Sequence, residues 1–394
     1  MARPIPGADP DEIDAVQVLD HLVRRALSAS ASDIHIEPKR DVMRVRYRID
    51  GVMVEQGQLP FDLIAPLTTR VKVLARMDMT ERRTPQDGQF SLELGTSYVA
   101  HMRASTFPGV HGETVVLRLM LGHELIPVGK LGMGDDDVET VTRLASRPSG
   151  LVLVCGPTGS GKTSTLYSML KVMNTAERSI VTLEDPVEVE FAEITQGQTN
   201  VRQGFTFATG LRAILRQDPD VILVGEMRDQ ETAQIALQAS LTGHLVLSTL
   251  HTSDAVETVT RLVDLGVEPW IVANSLLAII AQRLVRVLCD HCAASYPLPN
   301  DLTNDEDRVL LAKGTTIRRA VGCPRCHRTG YRGRTGIFEV LEVDDELRDL
   351  IKTHAAKRVY KEATRNAGLV PLREAGLARV KAGITSLEEV LRVT

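Results

Sequence analysis

Apolar residues recur at helical spacing over residues 11–30, at Ile13, Val16, Leu19, Val23, Ala26 and Leu27, and predict an amphipathic helix. From Val42 the period changes to two. The run VMRVRYRIDGVMVEQGQL puts Val45, Tyr47 and Ile49 on one face and Arg44, Arg46 and Arg48 on the other, and Asp50-Gly51 supplies a hairpin turn. A helix is predicted over residues 63–77. A second turn signal, Asp87-Gly88, leads into two more strand-like runs, SLELGTSYVAHMRASTF and HGETVVLRLML. Residues 1–122 therefore read as a small α+β domain, and the aperiodic, Gly- and Pro-containing stretch 123–130 reads as a linker.

Beyond Leu131 the rhythm becomes helix, short apolar strand, helix, strand. The β-rich runs fall at 151–155, 180–184, 221–225 and 245–249, the pattern of a mainly parallel sheet covered by helices, and they define an α/β domain over 131–287. Two cysteine pairs mark a segment over 288–336. From about Val340 the chain reads as helical to its end, a C-terminal helical part over 337–394.

Composition narrows the class. The 394 residues are 43% hydrophobic and 25% charged, as in globular proteins with real cores, and the length suits two to three domains. A net charge of −5 provides no global basic field, which argues against a nucleic-acid partner. The first residues carry no apolar leader, and the most apolar later stretch, 271–288, is broken by Asn274, Gln282, Arg283 and Arg286, so neither a signal peptide nor a membrane span is expected.

The strongest chemical signal is Gly156-Pro157-Thr158-Gly159-Ser160-Gly161-Lys162-Thr163. Its glycines let successive backbone N–H groups face phosphate, Lys162 reaches the β and γ oxygens, and the Thr163 hydroxyl suits Mg²⁺. A buried strand precedes the loop and a helix follows it, as phosphate binding requires. Cys155, in that strand, reads as a core residue.

Three further groups belong with this loop. Glu226 ends the apolar run DVILVGE, where a parallel sheet delivers side chains to a ligand cleft, and is the candidate for polarising a water. Glu184 and Asp185 end a second run, ITLEDP, and are either further catalytic carboxylates or an acidic turn before Pro186. His244 and His251 bracket the strand LVLST and are either structural or γ-phosphate sensors.

Cys289/Cys292 and Cys323/Cys326 form two C-x-x-C pairs with thirty residues between them, the spacing of a Cys₄ zinc site; His291 and His327 are alternative ligands, and redox dithiols are the other reading. The arginines Arg44, Arg46 and Arg48, with Arg103 and Arg118 on later strands, form either a solvated face or a basic face that neutralises developing charge.

Taken together, ASDIHIEP, GPTGSGKT, ITLEDPVE, LRAILRQDPDVILVGEMRD, TGHLVLSTLHTSDA, the cysteine pairs and GITSLEEVLRVT resemble the secretion ATPase superfamily over nearly the whole chain. The type II secretion branch is most similar, with pilus extension motors as close kin. The resemblance implies a RecA-like P-loop ATPase core with ATP and Mg²⁺, a smaller regulatory N-terminal domain, a tetracysteine zinc subdomain, a helical C-terminal part and a homo-hexamer. It assigns Arg103 and Arg118 to the nucleotide from the N-terminal domain, and Arg212, Arg216, Arg228 and Arg261 to the basic set of the ATPase domain.

By the same resemblance the partners are inner-membrane platform proteins of the L and F type, and the location is cytoplasmic, peripheral to the inner membrane. Against that resemblance, no counterpart of the further N-terminal docking domain of full-length members is expected within these residues, Thr114 stands where an arginine is frequent, and GEMRD replaces the commoner GEIRD. Secretion, pilus extension and, from another class, nucleic-acid translocation or a scaffold without hydrolysis are the functions to separate.

Overall fold

The computed structural model describes residues 14–94, 99–120, 125–298, 311 and 316–394, in two compact units, Met1–Gly122 and His123–Thr394. The predicted helical positions 11–13, part of the run after Phe90 and the first linker residues lie outside the described residues.

In the first unit, α1 (Ala15–Ser28) starts where the Asp14 carboxylate accepts the Val16 amide, and it buries Leu19, Leu22, Val23 and Ala26. Six strands follow, β1 (Ala31–Pro38), β2 (Val42–Ile49), β3 (Val52–Pro60), β4 (Gln86–Glu93), β5 (Val99–Gly109) and β6 (Gly112–Met120), with α2 (Ile64–Leu74) between β3 and β4. They form an antiparallel sheet in the order β3-β2-β1-β6-β5-β4. Strand β2 alternates as the sequence predicts, burying Met43, Val45, Tyr47 and Ile49, and the Tyr47 hydroxyl donates to the Leu22 carbonyl at 2.7 Å, tying α1 to the sheet.

One reading of this unit changes, and one strand, β1, was not foreseen. Asp87-Gly88 is no turn, since β4 runs straight through it with Asp87 opposite Ser105 and Gly88 opposite Ala104. The glycine serves close approach instead: a Cβ there would lie 2.3 Å from the Ala75 carbonyl oxygen at the end of α2. Strand β1, central in the sheet, has no clean alternation because Asp33 is buried in it, paired with Arg118 and Arg48.

The second unit is a three-layer α/β fold. Its strands are β7 (Gly150–Cys155), β8 (Ile180–Glu184), β9 (Thr195–Gln198), β10 (Val221–Val224), β11 (Leu245–Leu250), β12 (Leu276–Leu288) and β15 (Tyr331–Glu342), in the order β15-β12-β7-β11-β10-β8-β9. All neighbours run parallel except β12 and β15. A small two-stranded antiparallel sheet, β13 (Ala294–Pro297) with β14 (Thr316–Arg319), stands apart from this sheet.

Successive residues of β7 serve opposite layers. Val152 and Val154 pack with α3 (Asp135–Ala145) and α4 (Lys162–Met173), while Leu151, Leu153 and Cys155 join the larger core. That core collects α5 (Phe207–Ile214), α6 (Gln230–Leu241), α7 (Ala255–Asp264) and α8 (Pro269–Ser275), and also the C-terminal helices α9 (Asp345–Lys352), α10 (Lys357–Asn366), α11 (Leu372–Lys381) and α12 (Leu387–Val393).

The stretch broken by Gln282, Arg283 and Arg286 is thus a short helix followed by a thirteen-residue strand. The chain is also not helical from Val340: β15 continues to Glu342 against β12, with Val340 opposite Ile280. Glu339 tolerates burial there because the backbone N–H groups of Ala255 and Leu372 donate to its two oxygens. Among the described residues no helix is long and apolar enough to cross a membrane.

Candidate functional site

Strand register puts the candidate residues in a row. Cys155 ends β7 opposite Ala281 of β12 and Leu250 of β11, and Val224 of β10 lies opposite Ser248 of β11 and Leu183 of β8. The residues just past these pairs, Gln282, Gly156, His251, Glu226 and Asp185, therefore gather at the carboxyl edge of five adjacent strands. That edge is where open parallel sheets receive ligands.

The loop over residues 156–161 joins β7 to α4. Gly156, Gly159 and Gly161 take φ of 147°, 79° and 90°, and Gly161 is the N-cap of α4. A side chain at Gly156 would collide with the Gln282 carbonyl oxygen at 2.6 Å, so the glycine is needed for contact as well as for conformation. Lys162, the first residue of α4, folds its ammonium onto the Gly156 and Pro157 carbonyls at 2.8 and 3.2 Å. Burial holds it below the ordinary lysine value, against the opposing pull of Cys155 and Glu226. Thr163 follows in the first turn, half-buried.

Glu226 is held from both sides. Arg228 pairs with Oε1, and His251 Nε2 lies 3.4 Å from Oε2. The peptide before it is fixed by the Gly225 amide to Leu183 and by the Thr249 hydroxyl to the Gly225 carbonyl, each at 2.8 Å. Asp185 is exposed on the next strand end; Glu226 first, and then the nearby Asp185, favour the charged form of Arg228.

Glu184 has a different environment from Asp185. It is 4% exposed and accepts from the Tyr167 hydroxyl, from Thr182 Oγ1 at 2.6 Å and from Gln196 Nε2 at 3.1 Å. Those three donors bind α4 and β9 to β8 through one carboxylate.

His244 lies apart from the other candidates. It precedes Leu245, which pairs with Gly150 at the opening of β7, so it stands at the amino edge, about 20 Å of strand away from the loop. There its Nδ1 bonds the Ala239 carbonyl at 2.9 Å, at the end of α6. Two histidines bracketing a strand must lie at its opposite ends, and only His251 stands at the carboxyl edge with the glycine-rich loop.

The arginines divide similarly. Arg228 alone of the four in this unit touches a strand-end carboxylate. Arg212 pairs with Glu231 at 2.6 Å, Arg216 donates to the Arg212 carbonyl, and Arg261 is exposed late in α7. In the first unit Arg103 and Arg118 are direct partners across β5 and β6. The stripe itself is compensated, with Arg44 on Glu55, Arg46 on Glu37, and Arg48 and Arg118 on Asp33.

The four cysteines converge. Their sulfurs all lie within 4.8 Å of one another, with neighbouring separations of 3.7, 3.8 and 4.0 Å. A tetrahedron with metal–sulfur bonds of about 2.3 Å has edges of about 3.8 Å, so the cluster fits a Cys₄ metal site. None of the cysteines is in a disulfide. Burial pushes the Cys326 thiol up, but amides from Cys323 and Gly330 outweigh it and bring the group to about 7, whereas burial pushes the Cys292 thiol up to about 11. Four sulfurs complete the set without His291 or His327.

Sequence reasoning missed Gln282 and Tyr167, which brace the loop and its helix. A polar residue in the middle of an apolar strand run was the available signal for Gln282.

Residues 9–392 match the family of Type II/IV secretion system proteins. The chain is 48% identical over 389 residues to the Type II secretion system ATPase E of Vibrio cholerae serotype O1, covering 98% of this chain and 76% of that protein. It is 46% identical over 389 residues to the Type II secretion system protein E of Pseudomonas aeruginosa, with the same coverage. Among solved structures, the pilus retraction motor PilT with bound ADP aligns with a TM-score of 0.63 at 28% identity, over 95% of this chain and 96% of that one. The Legionella pneumophila ATPase DotB aligns with a TM-score of 0.71 at 22% identity, over 99% and 98%, a likeness of fold.

Proposed function

This chain belongs to the family of Type II/IV secretion system proteins, and on that premise we propose that it is an ATP-hydrolysing motor that powers protein export in type II secretion. The observation that carries the reading is the alignment of the loop over residues 156–163 with Glu226 and His251 along one sheet edge. In this reading, loop amides and the α4 N-terminus receive the phosphates. Lys162 leaves its two carbonyls to pair with the β and γ oxygens, and Glu226, aimed by Arg228 and His251, orients the attacking water. Thr163 would hold the magnesium ion, which supplies charge neutralisation on the phosphates.

Tyr167 and Glu184 keep α4 in place and need not touch substrate. The four sulfurs are read as holding a structural zinc that cross-links the segment after β12 to the segment between β14 and β15. A homo-oligomer, an inner-membrane platform as partner and a cytoplasmic, peripheral location belong to the same proposal. The identity of 46–48% to type II secretion proteins favours export over pilus extension.

Steady-state ATP hydrolysis by the purified chain is the test. Turnover that requires Mg²⁺, disappears in Glu226→Gln and is indifferent to added nucleic acid is expected. Absence of hydrolysis, or stimulation only by nucleic acid, would overturn the reading.

A further inference from the structure

Gln282 is 1% exposed, and both ends of its amide are engaged. Its Nε2 donates to the Ser160 carbonyl at 2.6 Å, and its Oε1 accepts from Thr165 Oγ1 at 2.7 Å. Thr165 is itself buried in the first turn of α4. Gln282 also forms the wall behind the loop, since Cβ atoms built at Gly156 and Gly161 would lie 2.6 Å from its carbonyl oxygen and 3.1 Å from its Nε2.

A trans peptide is planar, so its C=O and N–H point in opposite directions. Holding the Ser160 carbonyl toward Gln282 turns the Gly161 N–H away from β12, the side left for a ligand. Thr165 keeps the amide from rotating. Without the Thr165 bond, Gln282 can present oxygen instead of nitrogen to Ser160, and the peptide loses its reason to stay in this orientation.

We propose that Gln282 is a positioning residue for phosphate binding, a pin that aims the Gly161 N–H of the loop. This rests on the nucleotide-binding reading above. A pinned donor costs nothing to orient when phosphate arrives, so its loss weakens binding more than it slows the chemical step.

The test is equilibrium binding of ADP to the full chain, alongside KM and kcat for ATP. Gln282→Leu is expected to weaken ADP about tenfold and raise KM comparably, with kcat within about twofold. Gln282→Glu offers a readout that a merely structural role would not give. Its ionised carboxyl repels the Ser160 carbonyl, whereas its protonated form can donate to it. ADP affinity relative to the parent should therefore recover as pH falls from about 8 toward about 6.

Folded Gln282 variants with parental ADP affinity throughout this range overturn the proposal. Should both fail to fold, the isosteric Thr165→Val decides: weakening of about threefold supports the pin, and parental affinity overturns it. Lys162→Ala separates the two readings. Loss of ADP in Lys162→Ala beside intact Gln282 variants removes only the pin, while a parent chain that binds no ADP removes both.

Discussion

His251 sets its Nε2 3.4 Å from Oε2 of Glu226, one residue beyond the end of β11 and two beyond the end of β10. The imidazole and Arg228 hold the carboxylate between them, so its direction is set before substrate arrives. Glu226→Gln keeps the shape and removes the charge. ATP binding should persist while turnover falls by about 10²-fold or more, measured by nucleotide binding and phosphate release on one preparation. His251→Ala should lower kcat by a smaller factor, whereas His244→Ala, at the far edge, should leave kcat unchanged.

Glu184 predicts a different signature. Tyr167→Phe deletes one of three donors to a buried carboxylate, which costs about 1–3 kcal/mol. In a unit of this size that lowers Tm by a few degrees. Thermal denaturation should register the loss, and the KM for ATP should move little.

Glu389 lies on α12 with its side chain fully covered, yet it is ionised. Burial raises its pKa, but hydrogen bonds from Arg392 and Arg286 outweigh this and bring it to about 2, from an ordinary 4.5. A carboxyl depressed by folding stabilises above its unfolded pKa, so the contribution is complete above about pH 4.5 and fades as pH falls toward about 2. It is about 3 kcal/mol at neutral pH. Glu389→Gln should therefore be markedly less stable than the parent to urea at pH 7, and the difference should shrink on acidification.

The tetracysteine site predicts one zinc per chain, released by a strong chelator. Cys323→Ser should lower the zinc content measured on the denatured protein. It should also lower Tm, because the metal adds a cross-link between the segments on either side of the β13–β14 pair, beyond hydrogen bonds such as Cys289 N–H to the Gly330 carbonyl at 2.9 Å.

Gly88→Ala would push a methyl group into the Ala75 carbonyl oxygen at 2.3 Å. Nothing flexible can yield there. Destabilisation of about 1–3 kcal/mol is expected, visible in denaturant unfolding of the first unit. The same substitution at Gly51, whose Cβ would meet nothing within 4 Å, should cost only the strain of its positive φ.

Sequence alone determined the features that rest on local spacing. The glycine-rich loop over residues 156–163, the paired cysteines, the alternation of β2 and the parallel runs around the sheet all need only neighbours along the chain. Glu226 was legible for the same reason, since an apolar strand must end and the residues just after it lie at the sheet edge.

Tertiary structure decided whatever depended on a partner distant in sequence. Glu184 and Asp185 are adjacent in the chain, yet one is buried under Tyr167 and the other lies open beside Arg228. Gly88 owes its identity to Ala75, and Asp33 can be buried because Arg118 waits 85 residues away. Gln282, read along the chain as a polar break in an apolar run, became the brace of a loop more than a hundred residues earlier. Parallel strands put such residues side by side, and hydrogen bonds formed there are invisible to any local period.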